Sequence, residues 1–375
     1  MDNNMLEKIL NQAGVSLNGS EPQDIKLLND KALDQIMRNG SLGLGDTYMA
    51  GWWDCECLDE LSFRLCRAAI DKKINLPWPQ ALRIWATRLT NFQNKTRAQH
   101  VARKHYNLDN HLFELMLGKT MAYSCGYWKN EEDLNRAQFA KYELICKKLK
   151  LTSQDRLLDI GCGWGGFAAY AAENYGCRVA ALSIASEQIA YAKMRYQNLS
   201  IDFYVADYRD VNAYNPQEIE FTKQASIGAF EHIGYKNHRN FLKIMATQLS
   251  AEGLFLLHTI GSNETTTTTD PWIDKYIFPN GNVPSMVQLT KAMENLFLVE
   301  DWHNFGADYD KTLLAWNANF ESNWPLLKDQ YDQHFYRMWR YYLLMCAGMF
   351  RARSAQLWQI VLSKSGLIGG YESVR

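Results

Sequence analysis

The stretch LDIGCGWGG, Leu158 to Gly166, decides how this chain is read. A short apolar strand, Arg156–Ile160, runs into it, and an apolar helix, Phe167–Tyr175, runs out of it. Gly161 and Gly163 let the backbone bend and approach a ligand closely, while Gly165 and Gly166 ease helix–strand packing. The spacing is GxGxGG rather than the GxGxxG of dinucleotide sites, and an acid, Asp159, precedes the first glycine. Working outward, further strands are predicted at Arg178–Ser183, Ile201–Ala206, Phe221–Ile227 and Gly253–Thr259, with helices at Glu187–Tyr196 and Asn240–Leu249. This alternation predicts an α/β fold on a doubly wound parallel sheet, with ligands at the C-terminal strand ends. The fourth strand, FTKQASI, places Lys223 and Gln224 where a central strand is normally apolar, and the pattern offers no reason for it. Beyond Leu296, FLVEDWHNFG reads as a strand, 310–322 and 332–352 as aromatic-rich helices, and LWQIVLSK as a final strand.

Composition sets the bounds. The chain has 375 residues, 40 Lys+Arg against 41 Asp+Glu and 47% hydrophobic residues, which fits about two globular domains and excludes a disordered chain. A net charge of −1 gives no global attraction to nucleic acid. Eight cysteines without a CxxC pair, and an opening MDNNMLEKIL without signal-peptide character, lead us to expect a soluble protein of the reducing cytoplasm. There is no HExxH, and Cys55-Glu-Cys57 lacks partners at zinc-ligand spacing, so no metal site is expected.

Residues 1–95 read as a helical N-terminal domain, with Leu6, Ile9 and Leu10, and then Leu33, Ile36 and Met37, at helical spacing. SLGLGDTYMAGWWD (Ser41–Asp54) reads as a turn-rich packed loop, because its GLG follows no strand and opens no helix. Residues 96–115 read as a basic linker and 116–375 as the α/β domain. From Lys72 to Leu108 the chain carries eight Lys or Arg and no acid, with Leu82, Trp85, Leu89 and Phe92 on one helical face. Two readings stay open: a helix lying on an anionic membrane, with Arg83, Arg88 and Lys95 as surface contacts, or a helix packed on the neighbouring domain.

An acidic strand end followed by GxG resembles the S-adenosylmethionine (SAM) loop of class I methyltransferases. SAM has no pyrophosphate, so a carboxylate such as Asp159 favours its cationic end where an anion cradle is not needed. At the second strand end, Leu182-Ser183 stands where an acid usually binds ribose, which leaves Ser183 and Gln188 to serve. Asp207 is placed to meet the adenine amino group.

Four more segments surround this loop: YSCGYW (Tyr123–Trp128), SIGAFEHIG (Ser226–Gly234), LLHTIG (Leu256–Gly261) and FGADYDKTLLAW (Phe305–Trp316). With SLGLGDTYMAGWW and DPWIDKYIFPNG (Asp270–Gly281), they closely resemble the cyclopropane-fatty-acyl-phospholipid synthases, nearly end to end. The resemblance implies methylene transfer from SAM to a cis double bond of a phospholipid acyl chain. It implies a homodimer working peripherally on the inner membrane face, with bicarbonate as the base. The bicarbonate roles fall on Cys125, Glu231, His258 and Tyr309, with Gly228 and the Ile260 backbone nearby. The SAM roles fall on Tyr123, Ser124, Gly161, Gly163, Ser183, Gln188 and Ile227, alongside Asp159, Asp207 and His232 from the strand ends. Without the resemblance, Cys125, His232 and His258 read as ordinary buried residues. Two other readings remain: a SAM enzyme acting on amines or making methyl-branched lipids, and a silent binding protein.

Overall fold

The computed structural model describes residues 3–70, 109–215 and 219–375. The basic helix expected between Lys72 and Leu108, and with it Arg83, Arg88 and Lys95, lies outside the described residues, as does the boundary expected at residue 95. The described chain gathers into two compact units, neither continuous in sequence.

The helical unit is formed by residues 3–70, Thr267–Pro279 and Gly306–Gln356. Its one strand pair, β1 (Lys26–Leu27) with β2 (Trp53–Asp54), is antiparallel. Around it pack the helices Asn3–Gln12, Lys31–Asn39, Ser41–Met49, Leu58–Arg67, Pro271–Tyr276, Asp308–Leu327 and Gln333–Arg351. Trp53, Trp272, Trp316 and Trp339 are buried at its centre, so much of the aromatic excess is core. Arg351 joins three acids, Asp59 at 2.7 Å, Asp310 at 2.9 Å and Glu60 at 3.4 Å. The loop expected over Ser41–Asp54 is instead a helix for most of its length. Its glycines are packing glycines: a side chain on Gly43 would strike the Gln35 carbonyl, and one on Gly45 the Trp272 ring. Tertiary contact overrides the weak helix propensity of glycine here.

The sheet unit is formed by residues 109–266, Asn280–Phe305 and Leu357–Arg375. Its strands are β3 (Arg156–Ile160), β4 (Arg178–Ser183), β5 (Ile201–Val205), β6 (Phe221–Ile227), β7 (Leu249–Gly261), β8 (Leu298–Asn304) and β9 (Gln356–Ser363). They lie in the order β5-β4-β3-β6-β7-β9-β8. The pairs from β5 through β7 are parallel, and β8 with β9 is antiparallel. Period-2 alternation sends Leu158 and Ile160 into one core layer and Leu157 into the other. The order reverses between β3 and β6, which opens a crevice at their C-terminal ends.

One of the two polar residues of the fourth strand, Gln224, is met by its helix neighbour. Gln224 is fully buried, and its Nε2 donates to the Met245 carbonyl near the end of helix His238–Gln248 at 3.1 Å. That carbonyl also accepts from the Leu249 amide at the helix C-cap, so the Gln224 side chain adds a second donor to it.

Candidate active site

At the crevice the chain leaves β3 through Gly161 (φ +79°) and Gly163 (φ +55°), a conformation that favours glycine. The Gly161 and Cys162 amides both donate to the Leu182 carbonyl, at 2.8 and 2.9 Å, which pins the turn to the end of β4. Helix Gly166–Tyr175 starts directly beyond. The turn forms the floor of a cavity of about 190 Å³. All ten residues expected at the cofactor line it: Tyr123, Ser124, Asp159, Gly161, Gly163, Ser183, Gln188, Asp207, Ile227 and His232.

Their electrostatics differ. Asp159 is buried, its Oδ2 has no hydrogen-bond partner among the described residues, and burial pushes its carboxyl up to about 7. Such an orphaned acid facing a cavity suits a cationic or donor-rich ligand. Ser183 Oγ donates to Gln188 Oε1 at 3.2 Å, so the two groups expected to replace the missing acid already face each other. Asp207 is more engaged than expected: Arg209 meets both its oxygens, at 2.7 and 2.9 Å. Burial drives His232 down to about 4, so its ring is neutral. The pattern did not mark Trp164, whose ring rests on Phe113 at 4.9 Å and whose Nε1 donates to Asn110 at 2.8 Å. It also lines the cavity.

Gly228 belongs to the cavity wall, and its amide donates to the His258 carbonyl at 2.9 Å. Beyond that bond lie two buried titratable groups. Glu231 Oε1 accepts from the Ile260 amide at 2.6 Å, while Oε2 is buried without a partner among the described residues. The Ile260 amide, expected to face a bound anion, is thus used to orient Glu231. Burial pushes the Glu231 carboxyl up to about 7 and holds His258 well below its ordinary value. The Gln359 amide faces His258 Nδ1 at 3.3 Å, and His258 Nε2 has no hydrogen-bond partner among the described residues. Phe305 meets the His258 ring edge-on at 5.8 Å. The Cys125 thiol is fully buried and donates to its neighbour's carbonyl, Gly126, at 3.2 Å. Tyr309 belongs to the helical unit, where it stacks on Phe350 at 4.4 Å.

Buried lysines were invisible in the pattern. Lys141 Nζ donates to Ser124 Oγ at 2.7 Å and to Gln138 Oε1 at 2.6 Å. Lys148 sits 3.6 Å from Asp301 and 3.0 Å from His303 Nδ1, and Arg375 clamps both oxygens of Asp301 at 2.6 Å. Among the described residues, no helix is long and apolar enough to cross a membrane.

The comparisons with known proteins agree with this geometry. The model of the family described as mycolic acid cyclopropane synthetase matches residues 93–360. The cyclopropane-fatty-acyl-phospholipid synthase of Escherichia coli (strain K12) is 46% identical over 357 residues, covering 95% of this chain and 92% of that one. The cyclopropane synthase MmaA2 of Mycobacterium tuberculosis matches in structure with a TM-score of 0.66 at 26% identity, over 73% of this chain and 100% of that one. The mycolic acid cyclopropane synthase CmaA1, solved with S-adenosylhomocysteine (SAH) and CTAB, gives 0.64 at 28% identity, over 71% and 98%. A glycine turn at the switch point, a cavity beside it and this breadth of similarity place the chain in the mycolic acid cyclopropane synthetase family, enzymes of the SAM-dependent methyltransferase class.

Proposed function

We propose that the chain transfers a methylene group from SAM to the cis double bond of unsaturated acyl chains in membrane phospholipids, with bicarbonate as the general base. The observation that carries this reading is the Gly228–His258 bond. It sets a cavity suited to SAM directly beside a buried acid and a neutral histidine, each with an unsatisfied atom. When bound, SAM supplies an electrophilic methyl on its sulfonium, and bicarbonate a proton acceptor.

The chain's own groups supply the rest. Asp159 attracts the cationic end of the cofactor, Ser183 and Gln188 offer hydroxyl and amide to its ribose, and the Gly161–Gly163 backbone allows close approach. Asp207, held by Arg209, meets the adenine side. His258 offers Nε2–H as a donor and Glu231 offers Oε2 as an acceptor, which suits an anion that carries one proton. The Cys125 backbone adds a donor, and the role implied for Tyr309 belongs to the same proposal. An alkene is a weak nucleophile, so positioning dominates, and buried aromatic surroundings keep water from trapping positive charge. Peripheral binding to an anionic bilayer and a homodimer complete the reading. The N-terminal residues serve lipid and dimer contacts, and 116–375 carries the chemistry. That setting is the inner membrane face.

The test is gas chromatography–mass spectrometry of acyl chains from anionic vesicles of cis-unsaturated lipid, incubated with protein and SAM, with and without bicarbonate. A cyclopropane product whose yield drops without bicarbonate supports both halves of the reading. A methyl-branched product overturns ring closure, and no lipid product overturns the substrate.

A further inference from the structure

Lys141 is a buried lysine that no carboxylate answers among the described residues. It lies in mid-helix, within Leu134–Leu149, with no exposed surface. Its polar contacts are the Ser124 hydroxyl and the Gln138 amide oxygen, and its Nζ stands 4.7 Å from the centre of the Tyr142 ring. Gln138 braces the same spot, because its Nε2 donates to the Ser124 carbonyl at 2.8 Å. Lys148, two turns along the helix and also buried, shows the usual arrangement, with Asp301 as its partner at 3.6 Å. Among the described residues, no ion pair satisfies Lys141. An ammonium removed from water is stable only when an anion or a full set of acceptors replaces its hydration.

The surroundings say which kind of anion. Ser124 Oγ accepts from Lys141, so its own hydroxyl proton is left to donate elsewhere, and Ser124 lines the cavity. Cys125 follows it in the chain, and the Lys141 charge is felt at His258. Burial alone draws Lys141 down to about 7, so a nearby negative charge would fix it in the protonated form. Among the described residues Glu231 has no ion pair, so an anion beside it needs a compensating charge from elsewhere.

We propose that Lys141 is a positioning residue that supplies the buried positive charge for a carboxylate-type anion held against Ser124 and Cys125. Two ligands share that chemistry, bicarbonate and the amino-acid carboxylate of SAM. The inference rests on the reading above that at least one of them binds here.

The experiment uses the whole chain with Lys141→Met and Lys141→Gln, and reads ligand binding by thermal shift and by calorimetric titration, apart from turnover. Three probes are compared: sodium bicarbonate in carbon dioxide-free buffer, SAH, and methylthioadenosine, which lacks the amino-acid part. Both variants are expected to weaken one carboxylate-type probe by about tenfold or more, with methylthioadenosine changed by less than about twofold. A loss confined to bicarbonate names the base anion, and a loss confined to SAH names the cofactor carboxylate. Unchanged binding of both overturns the proposal. So does an equal loss of SAH and methylthioadenosine, which marks a purely structural role. Should Lys141→Met fail to fold, Lys141→Gln, which keeps a donor to Ser124, carries the decision. If the unsubstituted protein binds SAH but not bicarbonate, the bicarbonate half of the functional reading fails and the SAH arm decides. If it binds neither, both readings fall.

Discussion

The backbone amide of Ile260 donates to Oε1 of Glu231 at 2.6 Å, which ties the end of β7 to the segment that follows β6. One carboxyl oxygen is thereby fixed, and the other is turned into the interior without a partner among the described residues. A carboxyl held this way near neutrality either keeps or releases a proton at working pH, which is what an acid–base group needs.

Glu231→Gln is therefore expected to lower cyclopropane formation by about a hundredfold or more while leaving SAH affinity unchanged. The stability effect has a definite sign. The folded carboxyl titrates near 7 against an ordinary value of 4.5, so its contribution is complete below about 4.5 and is lost as pH rises through about 7. The variant should show a smaller fall in Tm between pH 5 and pH 8, and an unaltered fall would contradict the burial argument.

Asp159→Asn separates binding from folding. The native acid is buried without a counter-charge among the described residues, so its removal should hold or raise Tm at pH 8 in the absence of ligand. SAH affinity should fall by about tenfold or more, measured by calorimetric titration. Undiminished affinity would remove Asp159 from the cofactor set.

Asp301→Asn takes the partner from buried Lys148 and from Arg375 together. A loss of about 3–5 kcal/mol is expected in urea unfolding, the range for stranding a buried charge. A cost below about 1 kcal/mol would mean that water reaches this cluster in solution.

Gly348→Ala probes the helical unit. A side chain there would meet the Asp59 carbonyl and the Phe63 amide of helix Leu58–Arg67. Because backbone gives way poorly, destabilisation of about 1–3 kcal/mol is expected from the shift in urea midpoint. An unchanged midpoint would show that the two helices separate easily.

Reversing the charges of Arg83, Arg88 and Lys95 together should lower both vesicle sedimentation and turnover on anionic lipid, and the deficit should shrink at high salt. Unchanged sedimentation would leave the basic stretch a packing element.

Much of the sheet is legible in the sequence. β3 and β4 have the ends their sequences predict, because each is a largely apolar run, and β6 has its predicted ends despite Lys223 and Gln224. The start of β7 at Leu249, rather than Gly253, was hidden by Ser250, Ala251 and Glu252, which read as a loop. Asp159, Gly161, Gly163, Ser183, Gln188 and Asp207 were legible because strand ends and a glycine turn fix their place within a doubly wound sheet, whereas Tyr123, Ser124 and Ile227 came from the family resemblance. What escaped depended on distant partners. Nothing local shows that Gly43 and Gly45 sit inside a helix, since the reason is Gln35 and Trp272. Nothing local distinguishes Lys141 from a surface lysine, since its bond to Ser124 spans 17 residues of sequence. Nor does sequence reveal that the Ile260 amide is already engaged.

The helical unit is assembled from three separated segments, and this bears on how the chain survives being cut. Ser62 on Leu58–Arg67 donates to the Met345 carbonyl on Gln333–Arg351 at 2.6 Å, and Arg351 closes on Asp59 nearby. A break at any peptide bond between residues 70 and 109 would therefore produce two fragments, each holding part of one core. Neither would be a finished module, and the pair should copurify as a nicked complex. Expressed alone, the longer fragment would expose the apolar flank of Gln333–Arg351 that Leu58–Arg67 normally covers, and it should be recovered only when the shorter one is supplied in trans.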